Sequence, residues 1–204
     1  MVLPLIITLI VSYLLGSIPF GYLVARAKGV NIFEVGSKNP GATNVKRVLG
    51  SGPGNLVFAL DFVKGVVAVA IPLVLQVAGE FGTLGYELSK VAGVVGAVLG
   101  HSFSCFTGFR GGKGVATAGG GLFVVMPVLC LVALAGWGVT FLISKFVSLA
   151  SMVAALIIAV GSWFLDFSLV IKIMASALGV LVIARHHANI KRLMAGTEHR
   201  WDRK

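Results

Sequence analysis

A short, positively charged loop, Gly111-Gly112-Lys113-Gly114, interrupts a largely apolar sequence. Glycines let several backbone N–H groups turn towards one point, and the lysine adds a full charge, which together suit a phosphate group. The pattern is not a nucleotide-binding P-loop, which would need glycine at Thr107 and a hydroxyl side chain at Gly114. The loop therefore predicts an anion site for a substrate other than a nucleotide, with a plain flexible turn as the alternative.

A second polar stretch lies nearer the N-terminus. Residues 36–44 read GSKNPGATN, and Lys46 and Arg47 follow directly. Hydroxyl, amide and guanidinium groups donate hydrogen bonds to phosphate oxygens. The same residue types are also common in simple turns. The combination favours oxyanion binding.

Two charged residues, Asp61 and Lys64, stand at the mouth of the second predicted helix. Residues three apart share one helix face, so their side chains can meet. Ionisable groups near membrane depth are usually paired. A structural ion pair is therefore favoured over a ligand role.

The histidines predict no metal site, because the sequence contains neither HExxH nor His-x3-His spacing and no paired carboxylates beside a histidine. His101 is interpreted as an amphipathic anchor at a membrane boundary. His186 differs, because Arg185 precedes it and Asn189 follows one helical turn later. It is a candidate donor to a substrate phosphate. We expect no metal and no cofactor.

The elements that position these residues must lie in a membrane. The chain is 57% hydrophobic and only 12% charged, and its mean hydropathy is +0.99. A soluble domain could not cover its surface with so few polar residues. The net charge of +10 comes from short clusters between apolar runs, so no nucleic-acid partner is expected.

The sequence predicts an all-α integral membrane protein that forms one domain over residues 1–204, a bundle of about seven transmembrane helices. The predicted spans are residues 2–23, 54–78, 84–104, 114–127, 128–144, 149–164 and 167–185. Only Met126-Pro127 separates the fourth from the fifth. Of the 17 lysines and arginines, all but Lys90 and Lys172 fall on one side, while Glu80 lies on the other. The positive-inside rule then places the N-terminus outside, the C-terminus in the cytosol and every polar motif on the cytosolic side.

Four motifs together resemble one family, the bacterial membrane acyl-phosphate:glycerol-3-phosphate acyltransferases, or PlsY family. They are GSKNPGATN (36–44), DFVKG (61–65), GFRGGKGVAT (108–117) and RHHANIKRL (185–193) followed by GTEHR (196–200). The resemblance extends over residues 15–201. Lys38 and Pro40 replace residues that are often smaller or more flexible in the family, which affects details of the loop and not the chemistry.

The resemblance implies an activity and a setting. Such an enzyme transfers the acyl group of an acyl-phosphate to the 1-hydroxyl of glycerol 3-phosphate, giving lysophosphatidate and phosphate for phospholipid synthesis. It lies in the bacterial cytoplasmic (inner) membrane among its lipids and faces the cytosol. A functional link to a soluble enzyme that forms acyl-phosphate is also implied.

The resemblance also implies roles for individual residues. The expected catalytic residues are Ser37, Arg47, Lys113 and His186. The expected substrate-binding residues are Asn39, Thr43, Asn44, Gly111, Gly112, Gly114, Ser151 and Asn189. Glu198 is expected to be structural and close to the site. Asp61 and Lys64 are expected to be structural and close to the site as well, because of their ion pair and not because of the resemblance.

Two questions stay open at the level of sequence. The hydroxyl proton goes either to a substrate phosphate oxygen or to His186, because no His-x4-Asp motif is present. A transporter or channel for a phosphorylated metabolite would also use cationic loops in a small helical bundle. Transporters, however, usually place their polar site near the midplane and show repeats, which favours the enzyme.

Overall fold

The computed structural model describes residues 2–77 and 83–201, and every regular element in these ranges is helical, as the sequence predicts. The α-helices are α1 (Val2–Ser17), α2 (Phe20–Arg26), α3 (Ala42–Leu49), α4 (Ser51–Val77), α5 (Thr83–Ser102), α6 (Val115–Val125), α7 (Pro127–Ser144), α8 (Val147–Gly161), α9 (Leu169–Arg185) and α10 (His187–Met194). Short 3-10 turns span Cys105–Thr107 and Ser162–Phe164. The chain forms two compact units, one ending at Val125 and one beginning at Met126.

The first predicted span is not one continuous helix. It breaks at Ile18 and Pro19, and α2 then continues to Arg26. Proline has no N–H to donate and disfavours helical geometry in the residue before it. The break leaves the carbonyl oxygen of Ile18 available to a partner outside its own helix.

Within the described ranges, fewer than seven helices are long enough and apolar enough to cross a membrane. Five segments qualify: Val2–Arg26, Ser51–Ile71, Gly85–Thr107, Pro127–Ser144 and Val147–Phe164. A sixth is added if α9 and α10, bent by 56°, are counted as one span. The fourth predicted span contains only α6, whose 11 residues are too few for a bilayer that needs about 20. Seven crossings therefore stay a prediction, and residue 78, Glu80, Arg203 and Lys204 lie outside the described residues.

The first unit is held together by close backbone contacts. Where α1 packs on α5, a Cβ on Gly16 would overlap the backbone of Ala97. Where α4 packs on α6, a Cβ on Gly65 would overlap the carbonyl of Thr117. Small residues at helix contacts give dense packing in a lipid environment, where apolar surface alone provides no drive for association.

The segment from α2 to the start of α4 has an apolar core of its own. Ala25, Ile32, Val45 and Val57 are fully buried there, and Tyr22 packs against them. The polar stretch 36–44 is thus attached to a packed base. In the second unit α8 packs against both α7 and α9.

Candidate functional site

Asn44 organises the first polar loop. Its Oδ1 accepts a 2.8 Å hydrogen bond from the Ser37 N–H, and its Nδ2 donates a 3.1 Å bond to the carbonyl of Val35. Only 2% of Asn44 is exposed, whereas Ser37 is exposed. Gly36, at φ +58°, lies so close that a Cβ would overlap Oδ1 of Asn44. The structure thus gives Asn44 a loop-holding role and presents Ser37 to solvent.

The rest of this loop leads into α3. Asn39 accepts a 2.9 Å hydrogen bond from the Gly41 N–H and so fixes the turn before the helix. Thr43 and Arg47, both half-buried, lie one turn apart on the same face of α3. A hydroxyl and a guanidinium therefore share one helix face, a combination that suits oxyanion binding.

Asp61 and Lys64 form the predicted ion pair, with 2.8 Å between Nζ and Oδ1. Because α4 begins at Ser51, the pair lies well inside the helix and not at its mouth as predicted. Both residues are buried, at 2% and 3% exposure. The ammonium of Lys64 also donates a 3.0 Å hydrogen bond to the carbonyl of Ile18, at the break after α1.

His101 does not act as the predicted anchor at a membrane boundary. Its Nδ1 lies 3.5 Å from Oδ1 of Asp61, and its side chain is only 9% exposed. Nearby, Ser104 donates a hydrogen bond to the carbonyl of Ser17, which ties the end of α5 to the end of α1. His101 is therefore a third member of the buried charge cluster, and the sequence reasoning missed it. The signal available was a titratable residue in the last turn of α5, after ten residues without a charged side chain.

The glycine loop lies directly against the end of α5. The Gly112 N–H donates a 3.1 Å hydrogen bond to the carbonyl of His101. A Cβ on Gly112 would overlap the His101 ring, and one on Gly111 would overlap the backbone of His101 and Ser102. Gly114 has φ +79°, a conformation that favours glycine. Packing on α5 is thus one reason for these glycines, which the phosphate interpretation alone did not include.

A small pocket in the first unit brings the loop and the buried charges together. Its lining includes Pro19, Asp61, Lys64, His101, Arg110 and Gly112. The guanidinium of Arg110, just before the glycine loop, lies 4.6 Å from the ring centroid of Phe33. Pro40, from the polar stretch 36–44, also lines this pocket. Three motifs that are separate in sequence therefore meet in one place.

In the second unit, the carboxylate of Glu198 collects three donors. Its Oε1 accepts hydrogen bonds from Asn189 Nδ2 at 2.6 Å and from Ser148 Oγ at 2.8 Å. Its Oε2 accepts one from Arg192 Nε at 2.7 Å. The segment after α10 is thereby attached to both α8 and α10. Sequence reasoning missed Ser148, although it lies one turn before Ser151 in the same stretch.

These contacts decide the ionisation of Glu198, which lies outside the membrane-length segments. Burial raises the pKa of this carboxyl group, but hydrogen bonds from Asn189, Ser148 and Arg192, together with the Arg192 charge, outweigh burial. The net effect is a lowered pKa. Glu198 is therefore ionised at neutral pH, which suits a structural anchor.

His186 is fixed in one tautomer at the end of α9. Its Nδ1 lies 2.7 Å from the carbonyl oxygen of Val182, and a carbonyl can only accept, so Nδ1 carries the proton. In the neutral ring Nε2 then has the lone pair. His186 is 2% exposed. The ring can accept a proton at Nε2, or donate there once it is protonated.

Ser151 is 5% exposed, and its hydroxyl has two partners inside the unit. It donates a 2.9 Å hydrogen bond to the carbonyl of Val147 and accepts a 3.3 Å bond from the indole N–H of Trp137. Substrate binding by Ser151, as predicted, would use its remaining lone pair or a reoriented hydroxyl. The structure thus brings Ser37, Arg47 and the glycine loop into one unit, and Ser151, His186, Asn189 and Glu198 into the other.

Comparison with known proteins gives consistent matches along most of the chain. A family model described as glycerol-3-phosphate acyltransferase matches residues 6–196. The glycerol-3-phosphate acyltransferase of Aquifex aeolicus is 44% identical over 192 residues, 94% of this chain and 96% of the relative. That of Bacillus subtilis is 40% identical over 191 residues, 93% of this chain and 94% of the relative.

Two crystal structures of PlsY, an integral membrane glycerol 3-phosphate acyltransferase, are similar in fold. The glycerol 3-phosphate form aligns with a TM-score of 0.87 at 40% identity, over 97% of this chain and 96% of that chain. The lysophosphatidic acid form aligns with a TM-score of 0.85 at 40% identity, over 97% and 95%.

Proposed function

The chain belongs to the glycerol-3-phosphate acyltransferase family, and we propose that its acyl donor is an acyl-phosphate and its acceptor atom the 1-hydroxyl of glycerol 3-phosphate. It is a multi-pass membrane acyltransferase. The observation that carries the choice of acceptor is the match, over 97% of the chain, to a structure in its glycerol 3-phosphate form. The transporter alternative has no comparable support.

The proposed reaction is a single acyl transfer. The 1-hydroxyl oxygen attacks the carbonyl carbon of the mixed anhydride, and the bond from that carbon to the phosphate oxygen breaks. The products are 1-acyl-glycerol 3-phosphate and inorganic phosphate. Phosphate is a stable anion and needs little protonation to leave. Catalysis therefore consists mainly of holding two anionic substrates together in a reactive geometry.

The cationic groups offset the repulsion between the two substrates. We assign Lys113 and Arg47 to the phosphate of glycerol 3-phosphate, because both carry a full charge beside backbone or hydroxyl donors. Ser37, exposed and held by Asn44, is assigned to the acyl-phosphate. In the second unit, Ser151 and Asn189 are assigned to substrate binding.

The hydroxyl proton has two candidate acceptors. One is a phosphate oxygen of a substrate, which needs no protein base. The other is His186, whose proton on Nδ1 leaves Nε2 as the basic nitrogen. Both are compatible with the tautomer, and kinetics separate them: a base sets kcat, whereas a ligand of the phosphate sets KM.

The setting is part of the proposal. The Lys/Arg distribution supports an inner-membrane protein with an outside N-terminus and its polar motifs in the cytosol. A reporter that works only in the cytosol should then be active when it is fused after Lys204. Activity of a periplasm-specific reporter at the same position would show that the orientation is the opposite one. Because acyl-phosphates hydrolyse readily, a soluble enzyme that forms them is the expected source of the donor.

The test is a product assay with purified protein in detergent. Palmitoyl phosphate and glycerol 3-phosphate should yield palmitoyl-lysophosphatidate and phosphate, whereas palmitoyl-CoA should yield none. Product from the thioester alone would overturn the proposed donor. Failure with both donors, together with uptake of glycerol 3-phosphate into proteoliposomes, would favour the transporter.

Lys113 provides the matched variant for this assay. Lys113→Ala should lose most activity, with a raised KM for glycerol 3-phosphate, and Lys113→Arg should recover only part of it because its fork is planar and larger. The exposed Lys28 is the control. Lys28→Ala should stay within about twofold of wild type, as surface substitutions generally do. Wild-type kinetics in Lys113→Ala would mean that the loop is only a turn.

A further inference from the structure

A buried carboxylate in an apolar helix needs a reason to be there. Asp61 is 2% exposed within α4, and replacing a buried ion pair by apolar residues is often neutral or stabilising. The pair with Lys64 alone therefore does not account for the carboxylate. Asp61 has a second neighbour, the ring of His101, with 3.5 Å between Nδ1 and Oδ1.

The other side of the His101 ring faces the glycine loop. A Cβ on Gly112 would overlap the ring at Nε2, so the ring lies against the backbone of this residue. The Gly112 N–H also donates a hydrogen bond to the His101 carbonyl at 3.1 Å. His101 thus contacts the carboxylate with one edge of its ring and the loop with the other.

We infer that His101 is a positioning residue: with Asp61 orienting its ring, it sets the backbone of Gly112 and hence the place of Lys113. The ring lies between the carboxylate of Asp61, which is paired with Lys64, and Gly112, which has no side chain that could move aside. Lys113 follows Gly112 directly, two residues before α6 begins. The inference rests on the proposed function, in which Lys113 binds the phosphate of glycerol 3-phosphate.

Two isosteric variants test the contact with Asp61. Asparagine and leucine have similar shapes, but only asparagine places an N–H near the position of Nδ1. His101→Leu should raise the KM for glycerol 3-phosphate about tenfold over His101→Asn, equivalent to ~1.4 kcal/mol. The KM for the acyl-phosphate should stay unchanged in both. Equal KM values in the two variants, or an equal rise for both substrates, would overturn the inference.

A second pair of variants tests the contact with the loop. Gly112→Ala should raise the KM for glycerol 3-phosphate strongly, because the new methyl group meets the ring. Asparagine is shorter than histidine and leaves room for that methyl group. The double variant, His101→Asn with Gly112→Ala, should therefore bind better than Gly112→Ala alone. If the losses of binding free energy in the two single variants add up to the loss in the double variant, the ring and the loop act independently.

Hydrogen–deuterium exchange gives a readout that does not depend on activity. The backbone N–H groups of residues 108–114 should exchange faster in His101→Leu than in His101→Asn or wild type. Unchanged exchange in His101→Leu would overturn the inference even if the enzyme were inactive on the assumed substrates. If wild type forms no lysophosphatidate but exchange responds as expected, the proposed function fails and the positioning contact stands.

Discussion

Replacing Lys64 with methionine should destabilise the protein more than any comparable change at an exposed lysine. Methionine keeps the length of the side chain and its apolar contacts, so the change mainly removes the charge. It leaves the 2% exposed carboxylate of Asp61 without the ammonium 2.8 Å away. It also removes the donor 3.0 Å from the Ile18 carbonyl at the break after α1.

The magnitude follows mainly from the ion pair. Breaking a buried ion pair by removing one partner costs about 3–5 kcal/mol. The Ile18 carbonyl keeps its 3.1 Å hydrogen bond from the Phe20 N–H, so the loss of the Lys64 donor adds little. His101 still lies 3.5 Å from the same carboxylate oxygen in this variant, which favours the lower end of this range. The expected net decrease in the free energy of unfolding is about 3 kcal/mol. Adding Asp61→Asn should restore at least ~1.5 kcal/mol of it, because neighbouring sites couple by this order.

The measurement is unfolding in mixed micelles with increasing SDS, followed by far-UV circular dichroism. Circular dichroism is preferred over tryptophan fluorescence because all three tryptophans, Trp137, Trp163 and Trp201, lie after Met126 and report on the second unit. Lys28→Met, at an exposed position, is the control and should stay within about 0.5 kcal/mol of wild type. The reasoning is refuted if Lys64→Met unfolds like Lys28→Met, or if the losses from Lys64→Met and Asp61→Asn add.

Three further predictions use separate parts of the chain. The pKa of Glu198 is lowered on folding, so its ionised form stabilises the fold at pH values above the ordinary glutamate pKa of about 4.3. The difference in stability between wild type and Glu198→Gln, measured by SDS unfolding at several pH values, should therefore persist at neutral pH. It should vanish as the pH falls through the folded-state pKa. Gly111→Ala should lower activity by displacing the loop from α5. Gly52→Ala, with nothing within 4 Å of the new methyl group, should not lower it. Equal activities of the two variants in the product assay would show that close packing on α5 is not the reason for Gly111. His186→Ala should raise the KM for glycerol 3-phosphate if the ring binds substrate, and should abolish kcat at saturating substrate if the ring is the base.

Some features of the fold can be predicted from composition and local pattern. Long apolar runs predict membrane helices because every backbone polar group must be satisfied within the segment. The two long predicted spans at 84–104 and 128–144 accordingly agree closely with Thr83–Ser102 and Pro127–Ser144. Pro19 also carried a local signal, since a proline inside a helix removes a backbone hydrogen bond and can kink or break the helix. The 11-residue α6 could not be told from a full span, because apolar composition continues through the break at Met126-Pro127.

Residue types and their spacing along the chain are enough to predict the class of protein, the positions of the polar motifs and the family they resemble. Which residues meet depends on the tertiary structure. It placed His101 between Asp61 and Gly112, made Asn44 the support of Ser37, and showed that Gly111 and Gly112 are small partly because α5 lies against them. Asp61 and His101 are 40 positions apart in the chain, and no spacing rule reveals their contact. Only the packing of one helix on another fixes it.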